Sequence, residues 1–199
     1  MLDDRLQDMS WHAKYSADIN RYALYARGSG FMQFLTQQGL WALLAYRISA
    51  AIYLGKSPGW IKRILLKVCV AWQKIVEIIT GISIPYTTKI GSGLYIGHYG
   101  TIIVHPDTSI GENCNISQGV TIGISGRGDK RGAPIIGNRV YIAANAVVVG
   151  KIIIGDDVVI GANSLVNRDV PSHCTVLGVP AKIINEHGAD DYLFPSEPS

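Results

Sequence analysis

Five histidines, three cysteines and one glycine-rich basic segment hold most of the chemistry this sequence offers. An imidazole, with an unperturbed pKa of about 6.5, is matched to taking a proton from a hydroxyl as that oxygen forms a new bond. The candidates are His12, His98, His105, His173 and His187. Only His98 and His105 fall close together, with no third histidine at suitable spacing, which argues against a three-histidine zinc site. Cys69, Cys114 and Cys174 are odd in number, widely spaced and without a CxxC pair. They predict neither a disulfide framework nor a cysteine-based metal site. Residues 123–134 read GISGRGDKRGAP, flexible through glycine and cationic through Arg127, Lys130 and Arg131. Such a segment can wrap a ligand and offer charge to phosphates, or serve only as a solvated loop.

The elements that must carry these groups show in a six-residue rhythm. Aliphatic residues recur as Ile84, Ile90, Ile96, Ile102, then Val104, Ile110, Ile116, Ile122, then Ile136, Ile142, Val148, Ile154, Ile160 and Val166. Many are followed by Gly or Ala. Four positions on comes a small or β-branched residue such as Cys114, Val140, Ala146, Val158 or Ser164. Neither a helical nor an alternating period explains this. A period of six suits a parallel β-helix whose hexads each make a flat strand and a corner. Gly, Asn and Asp at corners tolerate left-handed backbone angles. The register slips between Ile102 and Val104, where extra residues bulge at a corner. The basic segment interrupts it between Ile122 and Ile136, where a solenoid expels insertions as loops.

Before the hexads, residues 11–26, 30–54 and 58–80 carry apolar residues at three- and four-residue spacing and predict three helices. The last is basic and amphipathic. It offers a surface for peripheral contact with an anionic membrane, although packing against the β-helix and neighbouring subunits is the stronger expectation. The chain divides into a helical region, 1–80, a β-helix, 81–184, and a polar tail, 185–199. Its 199 residues are 48% hydrophobic and 17% charged, which excludes a disordered chain. A net charge of +3 without basic runs among aromatics gives no reason for a nucleic-acid partner. An acidic MLDDRLQDMS start and apolar runs short of the roughly 18–20 residues of a membrane span set a cytoplasmic expectation.

Residues 81–184 resemble the hexapeptide-repeat acyltransferases, and within them the serine acetyltransferase family, nearest to its relatives from exopolysaccharide gene clusters. Gly81-Ile82-Ser83-Ile84, Lys89-Ile90-Gly91 and Ile96-Gly97-His98 carry the likeness, with His98-Tyr99-Gly100-Thr101, Gln118-Gly119-Val120-Thr121-Ile122-Gly123 and Gly178-Val179-Pro180-Ala181-Lys182 its most specific parts. The segment from Asp18 through Tyr46-Arg47-Ile48 is similar to that family's N-terminal helices. The resemblance implies a left-handed parallel β-helix and homotrimers with active sites between subunits, pairing of trimers being left open. It implies acetyl-CoA as co-substrate, His98 as general base, and neither a metal nor a covalent enzyme intermediate. By the same match Gly123, Ala144 and Ala162 contact the CoA arm. Lys182 and the loop cations Arg127 and Lys130 meet its phosphates. Backbone N–H groups near Gly123 would receive the developing oxyanion.

Three departures bear on the acceptor. The family's aspartate that orients the catalytic histidine is Ser83 here, the aspartate preceding that histidine is Gly97, and an Arg-His pair before proline reads Gly132-Ala133-Pro134. Ser83 and Gly97 are therefore the substrate-side positions to follow. An amino acid brings an ammonium and a carboxylate that want fixed counter-charges, whereas a sugar hydroxyl does not. The expectation is a saccharide acceptor, an exopolysaccharide or its precursor, met at the inner face of the membrane. Serine O-acetylation is the alternative within the same chemistry. A catalytically inactive trimeric scaffold is the alternative outside it.

Overall fold

Each hexad contributes one side of a triangle. In the computed structural model, which describes residues 9–25 and 30–193, the strands stack into three sheets along a left-handed β-helix. One sheet orders β1 (Ile82–Ser83), β4 (Ile102–Val104), β7 (Thr121–Gly123), β10 (Val147–Val149) and β13 (Leu165–Val166). The second orders β2 (Lys89–Ile90), β5 (Ser109–Ile110), β8 (Ile135–Ile136) and β11 (Ile153–Ile154). The third orders β3 (Tyr95–Ile96), β6 (Asn115–Ile116), β9 (Tyr141–Ile142), β12 (Val159–Ile160), β14 (Thr175–Gly178) and β15 (Ala181–Asn185). All pairs are parallel except β14 with β15. The inward residues stack rung on rung: Ile96 beside Ile116, Ile116 beside Ile142, Ile142 beside Ile160. All four are buried. Each such side chain contributes about 1.5–3 kcal/mol by leaving water, so the column of isoleucines is the main adhesive.

Corners carry the left-handed residues the pattern calls for. Asn113, Arg139, Asp157 and His173 form one ladder at φ 54–60°. Arg139 and His173 hold this strained angle without the small side chain that eases it. Ile136 pairs with Ile154, so the upper turns advance by eighteen residues; Ile90 pairs with Ile110, so the first turn takes twenty. Ile96 pairs with Ile116 at the same twenty-residue offset, while Val104 meets Ile122 at eighteen. The extra residues therefore lie between Ile96 and Val104, in the turn holding His98 through Thr101. This corrects the slip inferred between Ile102 and Val104: the strand continues and the corner swells.

The helices are α1 (Trp11–Tyr25), α2 (Gly30–Thr36), α3 (Gln38–Leu54) and α4 (Gly59–Thr80). The expected second helix divides at Gln37, whose backbone is extended (φ −108°, ψ 95°). Their task is to close the open end of the solenoid, whose first turn has no previous turn to bond. Arg47 does this with a fork. It binds both carboxylate oxygens of Asp18 at 2.9 Å and donates to the carbonyls of Ile90 (2.9 Å) and Gly91 (2.6 Å). Asp18 in turn accepts from Leu94 N–H at 2.9 Å, and the Tyr46 hydroxyl donates to Thr88 O at 2.7 Å. On α4, Cys69, Val76 and Thr80 face inward. Trp60 (68% exposed), Ile64, Val68, Ile75 and Ile78 (82%) form an uncovered apolar stripe beside Arg63, Lys67 and Lys74. No described helix is long and apolar enough to cross a membrane. Beyond Asn185 the chain does not trail away: Ala189 and Leu193 are buried against Val159. Residues 194–199 of the expected tail lie outside the described residues.

Candidate active site

The swollen corner after β3 presents His98, exposed, at one end of a cleft of about 460 Å³. Successive turns of the solenoid supply Gln118, Ala144 and Ala162 at the equivalent corner. Backbone bonds lock that stack: Asn145 N–H donates to Gln118 O at 3.0 Å, and Asn163 N–H to Ala144 O at 2.9 Å. The alanines leave a shallow slot leading away from the imidazole. Gly97 lines the same cleft.

Helix α1 fixes the corner from below. The buried Tyr22 hydroxyl donates to Ile96 O at 2.9 Å and accepts from Ile96 N–H at 3.1 Å, two residues before His98. Gly39 of α3 lies against the same group, for a Cβ there would stand 2.6 Å from Ile96 O. Arg21, buried beneath the cleft, donates to Asn115 Oδ1 at 2.8 Å, and Asn115 Nδ2 donates to the Tyr25 hydroxyl at 2.8 Å. Tyr25 stacks on Tyr95 with ring centres 4.1 Å apart. Tyr25, Tyr95 and Asn115 thus form a rigid, polar-edged wall beside His98. The sequence offered no signal for them. Tyr95 and Asn115 are cross-strand partners in β3 and β6, and Tyr25 joins them only where α1 folds across those strands. Ser117, Tyr141 and Tyr192 also line the cleft and were equally invisible.

The remaining expected positions stand elsewhere in this chain. Ser83 lies in a second depression of about 340 Å³, with Lys74, Glu77, Thr101 and Ile103, on the other side of the His98 turn. Among the described residues no side chain hydrogen-bonds the His98 ring. Gly123 sits in β7 beside Val149, outside both depressions. Arg127 and Lys130 are exposed on a loop closed by the Ser125–Gly132 bridge, and Lys182 is exposed on β15. None of the three borders the cleft. Burial pushes the Cys114 thiol up to about 12, which leaves it a core side chain rather than a nucleophile. No cluster of three metal-ligating side chains occurs among the described residues.

Comparison with known proteins supplies the rest. Residues 133–168 match the family described as bacterial transferase hexapeptide (six repeats). The serine acetyltransferase of Helicobacter pylori strain J99 is 38% identical over 152 residues, 76% of this chain and 84% of that protein. The crystal structure of Neisseria gonorrhoeae serine acetyltransferase in complex with serine superposes with a TM-score of 0.77 at 31% identity, covering 90% of this chain and 71% of that one. A serine acetyltransferase in complex with CoA superposes at 0.74 and 28% identity, covering 89% and 71%. These findings overturn the saccharide acceptor and the exopolysaccharide reading built on Ser83, Gly97 and Gly132-Ala133. The proteins this chain matches along most of its length are named for serine. Missing counter-charges in one chain were too thin a basis, because an amide, hydroxyl or neighbouring subunit can replace a fixed ion. The shared fold, the matched repeats and the extent of identity together place this chain in the serine acetyltransferase family of hexapeptide-repeat acyltransferases, enzymes that take their acetyl group from acetyl-CoA.

Proposed function

We propose that the protein transfers acetyl from acetyl-CoA to the hydroxyl of L-serine, with His98 as general base. The observation that carries this is the His98 cleft, floored by Ala144 and Ala162, on a chain 38% identical to a serine acetyltransferase. His98 takes the hydroxyl proton as the serine oxygen attacks the thioester carbonyl. The tetrahedral intermediate then collapses, the C–S bond breaks, and the CoA thiolate leaves with the proton returned from the imidazolium. Serine keeps the acetyl group as an ester. With Gly97 and Ala133 unable to supply charge, the acceptor's ionic groups meet neutral partners in the cleft, among them Asn115, Ser117 and Gln118. A neutral dipole attracts an ammonium or carboxylate less strongly than a full counter-charge does, so serine binds loosely. Three copies of the chain assemble so that each cleft is completed by a neighbour, which also covers the stripe on α4. The assembly works in the cytoplasm.

The test is thiol release from acetyl-CoA with L-serine as acceptor, wild type beside His98→Ala. Turnover on serine that disappears in the variant supports acceptor and base together. Acetyl-CoA binding without turnover at any serine concentration overturns the reading in favour of a scaffold.

A further inference from the structure

The polar C-terminal segment is held in place by more contacts than a tail requires. Gly188 turns it back at φ +71°, and its N–H donates to His173 O at 3.0 Å. A single turn follows, with Tyr192 and Leu193 N–H donating to Ala189 O at 3.0 and 2.9 Å. That turn drives Ala189 (0% exposed) and Leu193 (2%) onto Val159 of the third sheet. At its rim Asp190 pairs with Arg139, whose Nε is already fixed by Asp157 at 2.8 Å. Ordering each residue costs about 1–2 kcal/mol of backbone entropy, so burial of two apolar side chains and an anchored ion pair are needed to hold the segment down. The result is one specific placement. Tyr192, between the two buried residues, sets its ring 5.4 Å from that of Tyr141, and both rings line the cleft with His98, Ala144 and Ala162. Tyr192 remains 51% exposed, with one side packed and the other open to the slot.

We propose that residues 186–193 are a strap that carries Tyr192 into the acyl-donor channel, where its ring confines the flexible thioester arm of acetyl-CoA against the alanine corner. This rests on the His98 cleft being the acetyl-CoA site. An arm of methylenes and amides is long and has many conformers. An apolar wall opposite Ala144 and Ala162 restricts them without asking for charge, which fits the distance of Arg127, Lys130 and Lys182 from the cleft. Tyr192 is a binding residue for the donor and takes no part in proton transfer.

Calorimetric binding of CoA to the full chain, together with steady-state kinetics, tests this on Tyr192→Ala, Tyr192→Phe and Asp190→Asn. Tyr192→Ala should weaken CoA binding and raise KM for acetyl-CoA about five- to ten-fold, with kcat and KM for the acceptor little changed. Tyr192→Phe keeps the ring and should stay near wild type. Asp190→Asn loosens only the exposed rim and should cost about two-fold. Melting curves of the three variants check that the fold persists. If wild type fails to bind CoA, the reading of the cleft falls and the strap with it. If wild type binds CoA and Tyr192→Ala binds it equally well, the strap alone is overturned. A variant that changes only the acceptor KM overturns it too, placing the ring on the acceptor's side.

Discussion

The turn after β3 takes two residues more than its counterparts higher in the solenoid, and those residues lift His98 out of the stack. The widened corner sets His98 at the cleft, where it stands exposed. Its precision comes from below, because Tyr22 occupies both backbone groups of Ile96. His98→Ala should lower kcat about 10²- to 10⁴-fold, the usual contribution of a positioned base, with an unchanged melting temperature since the ring is exposed. Tyr22→Phe acts through position. It leaves a buried N–H and carbonyl without their partner and should cost about 1–3 kcal/mol of stability, read by denaturant titration. It should also lower kcat, because the corner gains freedom. Unchanged kcat with reduced stability would confine Tyr22 to a structural role.

At the scale of elements, the helices close the solenoid's open end through one buried ion pair. Arg47 has four acceptors in reach and satisfies carbonyls that the first turn would otherwise leave bare. Removing one partner strands the other in the interior. Arg47→Ala should therefore cost about 3–5 kcal/mol, measured as a shift in denaturant midpoint, and should detach α1 and α3 before the β-helix unfolds. Alkali attacks the same junction. Burial raises the Tyr46 and Tyr15 hydroxyls to about 12, and burial holds Tyr22 well above its ordinary value. A folded-state value above the unfolded one means stability is fully present below pH 10 and drains away as pH rises through about 12. Helical circular dichroism followed across that window should report the loss, and Tyr46→Phe should blunt it.

At the scale of the molecule, α4 leaves an exposed apolar stripe from Trp60 to Ile78, and contiguous apolar surface of this kind marks interaction sites. Light scattering should return a particle of three 21.6 kDa chains. Ile78→Glu, at the most exposed point of the stripe, should shift it toward smaller species. Activity should fall in parallel under the proposal that a neighbour completes each cleft. A monomer with full activity would contradict the shared cleft.

The hexads announce themselves because a β-helix repeats one environment: an inward aliphatic every sixth residue is a local demand, readable from Ile84 to Val166 without knowing the fold. His98, Gly97, Ala144 and Ala162 were named through the family resemblance rather than the period, and the structure brings them to one cleft. Tyr25 and Tyr192 were not legible, because they reach the cleft only when α1 and the C-terminal segment fold onto the third sheet from opposite ends of the chain. The acceptor was misjudged for a related cause. Absent charges at Ser83, Gly97 and Gly132-Ala133 are local facts, while recognition sums over every group the fold brings to a cleft. Sequence alone determined the repeat and its core, and named His98 as the candidate base. Tertiary structure decided which distant side chains complete the site, since contacts across long separations follow from packing and leave no periodic trace.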